Sequence, residues 1–566
     1  MKKIFIPTLR FSAILAFAFL VTTCTEEARE DLIDGYVDGV NLNINTDIFR
    51  VPVAFYFGDA NLDMGGDAPD NLSITIQGPD KDLIYSTDGQ RELKPVAGFL
   101  EIGLDKEVQI TEDDPLELTI IAEAPGYLKT VQNITLYDTA FQFIPVNMVS
   151  LNQPPKGVSL QIGMTSADAD GVMQDTAFTT PMVAGKEEMA TVKLKQGTKV
   201  MNAEGEELTG NIEVQLVHFD NRSDESLASF PGGFTATNVV DENGNEMDPI
   251  EFVTAGFVAL DMFVGSDEVT DFSEPVEVEV GINPETIDPA TGQQVKEGDI
   301  IPIWSLDDNT GQWKHEGEAV VEKGADGNLT ATMLITHLSW WNFDYFYNSC
   351  RGYEPVRLVI ESDYNNYTEA PFLRGQLYDA NTGRRFSYRR YFRALNGETI
   401  NMYNIPKNRN LYMEVSEGNQ VIYTSQQFAT ICNSTTILDM KTFEPPSPLV
   451  LDVRFSGICQ SAGPDIIIQP DAVIYFRQSN QFWEPLAQVR GGQFFTSRLF
   501  RGEVYDFRLV YAGRTYDFMD IVVESQVLEV EDYRLKVDLD DPDNRASIIV
   551  EDIVIPEEYC DILLGG

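Results

Sequence analysis

The chain has 566 residues, of which 90 are Asp or Glu and 40 are Lys or Arg, giving a formal net charge of −50 at pH 7. That balance excludes nucleic acid as a partner, since a phosphate backbone must be met by a cationic surface. A hydrophobic content of 43% with 11% aromatics excludes an acidic disordered chain, and three histidines with five cysteines and no CxxC pair give poor support to a zinc site.

At the N-terminus, Lys2, Lys3 and Arg10 precede an apolar run from Phe11 to Val21. The run is too short to cross a bilayer and suits the core of a signal peptide. Val21, Thr22 and Thr23 then lead into Cys24. This resembles the lipobox of bacterial lipoproteins, with Thr22 and Thr23 in place of the commoner small residues. The resemblance implies a lipoprotein signal peptide over 1–23 and acylation of Cys24, which makes a membrane a partner through the N-terminal lipid. Glu26 and Glu27 resemble the acidic export signal of Bacteroidota-type lipoproteins, which implies an outer-membrane location facing the cell exterior. The plainer alternative is an ordinary signal peptide with an incidental cysteine. Residues 24–45 read as a lipidated polar tether.

Beyond the tether the chain alternates with period two. Leu116, Leu118 and Ile120 are interleaved with Glu117 and Thr119, Val276, Val278 and Val280 with Glu277 and Glu279, and Leu535, Val537 and Leu539 with Lys536 and Asp538. Turn-rich stretches such as "DADG" (168–171) and "DENGNEMD" (241–248) separate such runs, and no long amphipathic helix interrupts them. The pattern predicts an all-β chain of tandem β-sandwiches, Ig-like in kind, with half-solvated sheets. Punctuation by "NQPPKG" (152–157) and "EPPSP" (444–448) predicts sandwiches over 46–152, 157–349, 350–444 and 449–566, the second of them larger.

Four cysteines remain after Cys24, and four allow three pairings. An exported protein favours disulfides. The boundary between Cys432 and Cys459 favours Cys350–Cys432 and Cys459–Cys560, one bridge for each of the last two sandwiches. Each would contribute about 4–5 kcal/mol by closing a long loop.

Two stretches carry resemblances. "LELTIIAEAPGYLKTVQNITL" (116–136), strand, Pro-Gly-Tyr turn and strand, resembles the carboxypeptidase regulatory-like family of transthyretin-like sandwiches, which are non-catalytic accessory modules. The ordered set "GTKVMNAEGEELTGNIEVQLVHFD" (197–220), "FPGGF" (230–234), "AGFVALDMFVG" (255–265), "IPIWSLDDNTGQWKHEG" (301–317) and "ITHLSWWNFD" (335–344) resembles a β-rich extracellular region. It occurs in Bacteroidota surface lipoproteins and in cartilage intermediate layer protein. The resemblance implies a scaffold or interaction module and brings no catalytic residues with it.

Trp340, Trp341 and Trp483 are candidate glycan contacts, since flat indoles stack on sugar rings; core packing is the structural alternative. Alternation sends Trp340 and Trp341 to opposite faces, so that at most one is expected in a core. His337 lies near Thr336 and Ser339 without the turn of a nucleophile elbow, which favours a structural histidine. Asp168, Asp170 and Gly171, and the group Asp59, Asp63, Asp67 and Asp70, contain fragments of a calcium loop but not its full spacing. No metal ligand is assigned, and calcium is the one cofactor the acids leave open. Asp-Thr-Ala at 138–140 and 175–177 makes Thr139 and Thr176 candidate O-glycosylation sites by resemblance to a Bacteroidota sequon.

The sequence therefore predicts a non-enzymatic, lipid-anchored surface protein for binding, adhesion or scaffolding, with its last two sandwiches extended away from the membrane toward a surface protein or polysaccharide. The alternatives are a glycan-capture lipoprotein of a polysaccharide-uptake system, a glycoside hydrolase working through two carboxylates, and a fimbria-like subunit.

Overall fold

The computed structural model describes residues 42–45 and 49–560, except 88–89, 106, 183–187, 325–326, 368–369, 418–419, 444–449, 460–465, 470, 480, 512, 531–532, 540–545, 556 and 558–559. Cys24, the signal peptide and the "EPPSP" boundary lie outside the described residues. Within them the protein is nearly all β, built as tandem β-sandwiches, and no helix is long and apolar enough to cross a membrane.

The first sandwich packs a four-stranded sheet (Ile84–Ser86, Phe99–Asp105, Phe49–Asp59, Gln142–Met148) on a three-stranded one (Ser73–Gln77, Leu116–Glu123, Thr130–Leu136). Val53, Phe55, Phe57, Ile102, Leu118 and Ile120 fill the space between them. The second is larger, with a ten-stranded and a seven-stranded sheet within 158–348. Its alternating valines Val276, Val278 and Val280 are buried in the core, while Glu277 and Glu279 on the other face receive Lys193 at 2.6 and 3.2 Å. The third joins a three-stranded sheet (Thr399–Met402, Val356–Glu361, Thr435–Asp439) to a five-stranded one ending in Arg385–Arg393. In the fourth, a four-stranded sheet (Glu484–Val489, Ala472–Arg477, Val504–Tyr511, Arg514–Val522) faces a seven-stranded sheet that contains Leu451–Ile458 and Ala546–Val554.

The first, third and fourth sandwiches close in the same way, with the opening strand hydrogen-bonded in parallel to the last. Val53–Asp59 pairs with Gln142–Met148, Arg357–Glu361 with Thr435–Asp439, and Leu451–Ile458 with Ala546–Val554. Parallel neighbours need a long crossover, and here the rest of each sandwich supplies it. The disulfides Cys350–Cys432 and Cys459–Cys560 form as expected, one near each end of the third and fourth sandwiches.

The expected extended stack is not what forms. Residues Leu42–Asn45, assigned to the tether, are a strand that pairs in parallel with Ile466–Gln469 of the fourth sandwich. The stretch 152–157, read from sequence as the boundary between the first two sandwiches, ends in a tight turn. Val158 N donates to Pro155 O at 3.1 Å, Asn61 Nδ2 reaches Gln153 O, and Asp220 N reaches Gly157 O at 2.9 Å. Gly157 has a φ of +86°, and a Cβ there would lie 2.5 Å from the Ser223 Cβ, so the close approach requires glycine. Ile121, Leu128 and Val131 of the first sandwich share a core with Phe219, Phe257 and Trp340 of the second.

The fourth sandwich folds back onto the first and third through an aromatic cluster. It joins Tyr56, Phe99 and Phe143, Phe372 and Tyr391, and Tyr475 and Trp483. The Phe99 and Tyr475 rings lie 4.4 Å apart, and Arg477 and Arg508 each stand 4.7 Å over Trp483. Within the cluster Tyr475 Oη donates to Glu101 Oε1 at 2.7 Å. Burial pushes the Glu101 carboxyl up to about 8, the Tyr475 hydrogen bond opposing it. Asp344, fully buried in the second sandwich, is pushed up to about 7 by burial, against hydrogen bonds from Thr254 and Asn342.

Unfolded carboxyls titrate near pH 4. Between about pH 4 and pH 8 the folded protein therefore retains protons that the unfolded chain has released, and these two groups make stability fall as pH rises through that window. The thermal midpoint is expected to drop between pH 5 and pH 9, and to drop less in Glu101→Gln. Superimposable pH profiles of the two proteins would show that Glu101 is ionised in the fold.

Candidate binding cleft

Where the first three sandwiches meet they leave a cleft of about 620 Å³, within the range typical of small-molecule sites. The strands Thr130–Leu136 and Gln142–Met148 form one wall. Residues within 221–237 and 283–287 of the second sandwich form another, and Thr382, Arg384, Arg385, Phe386, Arg389 and Arg390 of the third complete it.

Each wall is fixed by local chemistry. In the third sandwich Asp379 accepts from the main-chain N–H groups of Asn381 and Thr382, both at 2.9 Å, and pairs with Arg409 at 2.9 Å. This tight turn, with Gly383 at a φ of +70°, reverses the chain into Arg385–Arg393. In the second, "FPGGF" stacks Phe230 on Phe234 with ring centroids 4.2 Å apart. Its Gly232 N donates to Val131 O at 3.0 Å and so ties the loop to the first sandwich.

Four arginines from one segment face this space. Arg390 is buried and pairs at 3.1 Å with Asp138, which also accepts from Tyr403 Oη at 3.0 Å. Arg384 donates through Nη2 to the Phe252 carbonyl and stands over the Phe234 ring at 5.9 Å, while its buried Nη1 has no hydrogen-bond partner among the described residues. Burial lowers the Arg384 pKa, and Glu251 is the foremost charge opposing that. Arg385 lies 3.8 Å from Asp224, whose side chain is 85% exposed. Arg389 forms no hydrogen bond or ion pair with any described residue. Its side chain is exposed to the water of the cleft.

The residues singled out from sequence go elsewhere. Trp340, Trp341 and Trp483 are 5%, 3% and 1% exposed, so none offers a ring face to a sugar. Trp340 and Trp341 do point to opposite faces of their strand, but both faces are covered. Trp341 enters the core of the second sandwich and Trp340 the core shared with the first. Trp483 is enclosed in the aromatic cluster. His337 packs on Trp341 with centroids 4.9 Å apart, whereas Ser339 Oγ donates to the Leu306 carbonyl, so the two do not form a nucleophile and base. Asp168 accepts from Asp170 N within a turn, Asp59 from Tyr127 Oη and Asn61 N, and Asp67 pairs with Arg477. Among the described residues no group of three or more His, Cys, Asp or Glu side chains is placed to hold a metal ion. Thr139 is exposed on a turn, and Thr176 shares a hydrogen bond with Thr165 at 3.2 Å.

The cleft arginines went unread, although "GRRFSYRRYFR" (383–393) places five arginines within ten residues of a strongly acidic chain. A basic run in a strand reads as a solvated edge until the neighbouring sandwich encloses it.

Neither a protein family nor a curated protein matches the sequence. Among solved structures the chain is similar to the Bacillus anthracis TIE protein, at 10% identity over 65% of this chain and 56% of that one, with a TM-score of 0.12. It thus spans little more than half the length of that protein. It is also similar to the full-length RrgB pilus protein of Streptococcus pneumoniae (8% identity, 89% and 98% covered, TM-score 0.12) and to pneumolysin (10%, 73% and 96%, 0.09). With TM-scores this low, the likeness extends to neither function nor detailed fold.

Asp138 fixes the arginine wall by pairing with the buried Arg390 and accepting from Tyr403 Oη. Asp138→Ala is expected to cost about 2–3 kcal/mol in urea denaturation, below the full penalty of a broken buried pair because Asp138 is partly exposed. Asp224→Ala is expected to cost less than about 1 kcal/mol.

Proposed function

We propose that this is a non-catalytic, lipid-anchored protein of the bacterial outer surface that captures a ligand in the cleft between its first three sandwiches. The cleft carries this reading: it is open to solvent, and its walls combine cationic, amide and hydroxyl side chains with aromatic rings. That composition suits recognition, since a few placed polar groups orient a ligand against apolar surface. The aromatic cluster supports the same reading. By holding the fourth sandwich against the first and third, it fixes the separation of two cleft walls before any ligand arrives, and preorganisation of this kind lowers the entropic cost of binding.

The finer assignments rest on sequence. They are acylation at Cys24, display on the exterior of the outer membrane, a carboxypeptidase regulatory-like first sandwich, and a second sandwich related to the extracellular region of cartilage intermediate layer protein. In this reading both modules hold the cleft in place and perform no reaction. Presentation does not use a long stack, because the N-terminal strand Leu42–Asn45 enters the fourth sandwich and brings that sandwich close to the anchor.

Two measurements test the proposal. Metabolic labelling with palmitate is expected to mark the protein and to be lost in Cys24→Ala, and external protease is expected to digest it on intact cells. Native affinity electrophoresis through gels of neutral and acidic polysaccharides, with solid-phase binding to collagen and fibronectin, is expected to show retention by one of these polymers. Thr382→Trp, at the exposed rim of the cleft, is expected to weaken that retention. Retention unchanged by Thr382→Trp, or by none of the polymers, would remove the cleft from the function.

A further inference from the structure

The cleft wall has the opposite sign to the rest of the molecule. Its lining holds Arg384, Arg385, Arg389 and Arg390 against Asp224 and Glu285, a net charge of +2 in a chain of −50. At an ionic strength near 0.1 M, charges more than about 10 Å away are largely screened; of the acids close by, Asp138 is taken up by Arg390 and Asp224 lies against Arg385, which leaves Arg389 with no acid in contact among the described residues.

Edge protection accounts for part of the arrangement. Arg385–Arg393 ends its sheet, and charged side chains on a free edge deter another strand from pairing there. It does not account for Arg389. Its guanidinium is exposed in the cleft and makes no ion pair with a described residue, so its paired N–H donors are open to an incoming anion. In the same cleft, Asn147 Nδ2 donates to Ala228 O at 2.7 Å, and Gln132 Nε2 to Asn133 O at 3.1 Å and Gly232 O at 3.3 Å. Their side-chain carbonyl oxygens are left to accept from hydroxyl donors, and the Thr135 and Thr237 hydroxyls lie between the same walls. The strand edges argue against an extended peptide as the occupant. Gln142–Met148 is the last strand of its sheet, but Pro145 deprives it of an N–H, and the opposite edge carries the arginines.

We propose that the cleft binds an acidic saccharide, with its carboxylate or sulfate held by Arg389 and its hydroxyls by the surrounding amide and hydroxyl side chains. This rests on the cleft being the binding site, as proposed above, and adds the chemical class of the ligand. A planar guanidinium meets either anion with two parallel N–H donors, which a lysine cannot reproduce.

Calorimetric titration of the full chain with trigalacturonate, a chondroitin sulfate tetrasaccharide, maltotriose and triglutamate tests this. Binding of at least one acidic saccharide, with none of maltotriose or triglutamate, is expected. Arg389→Gln is expected to weaken that binding at least about tenfold, the loss of one charge-assisted hydrogen bond or more, with an unchanged thermal midpoint because Arg389 holds nothing within the protein. Arg389→Lys is expected to fall between the two. Maltotriose or triglutamate binding as tightly as the acidic saccharides would overturn the ligand class and leave the cleft as a binding site. An unaltered affinity in Arg389→Gln would also overturn it. If none of the four probes binds, the acidic-saccharide assignment falls, and the polymer panel with Thr382→Trp decides separately whether the cleft binds anything.

Discussion

The aromatic cluster around Phe99, Tyr475 and Trp483 is the contact on which the domain arrangement depends. Three sandwiches contribute to it, and its side chains are largely excluded from water. A buried aromatic withdraws about 150–250 Å² from solvent, on the order of 4–6 kcal/mol each before the entropy of ordering is subtracted. A surface that apolar cannot be left open, so the fourth sandwich must close on the first and third. Ion pairs then set the register of the contact: Arg477 with Asp67, Arg374 with Glu484, and Arg357 with Glu112 at 2.8 Å.

Closure determines the geometry of the cleft. The first sandwich is held to the second by the turn at 152–157 and their shared core, and to the third by the cluster and by the Asp138–Arg390 pair. The three walls have little freedom to diverge, and a cavity remains because the polar strand edges that face it are poor surfaces to pack. The same closure leaves Arg389 exposed within the cleft, in a molecule whose acids otherwise outnumber its bases more than two to one.

Some of this was legible in the residues. Alternation in "EPVEVEV" (274–280) identified a half-buried strand, because period two maps directly onto the two faces of a sheet. Of the three pairings open to the four cysteines, the position of the boundary favoured the one that forms. "VPVAFYF" (51–57) carried a signal that went unused: an unbroken apolar run marks a strand covered on both faces, and here Phe55 and Phe57 fill one core while Tyr56 enters the interface cluster. The paired tryptophans failed for a related reason. Alternation places Trp340 and Trp341 on opposite faces, but says nothing about whether a neighbouring sandwich covers the second face.

The sequence by itself determined the all-β class and the strand faces, since both follow from local periodicity, and favoured the disulfide pairing that the structure then shows. Only the tertiary structure decided that the N-terminal strand joins the last sandwich, that the candidate tryptophans are buried, and that arginines from a single strand face a cavity. Those outcomes depend on which surfaces separate domains present to one another, and contacts between residues hundreds of positions apart, such as Glu101 with Tyr475, leave no periodic trace in the chain.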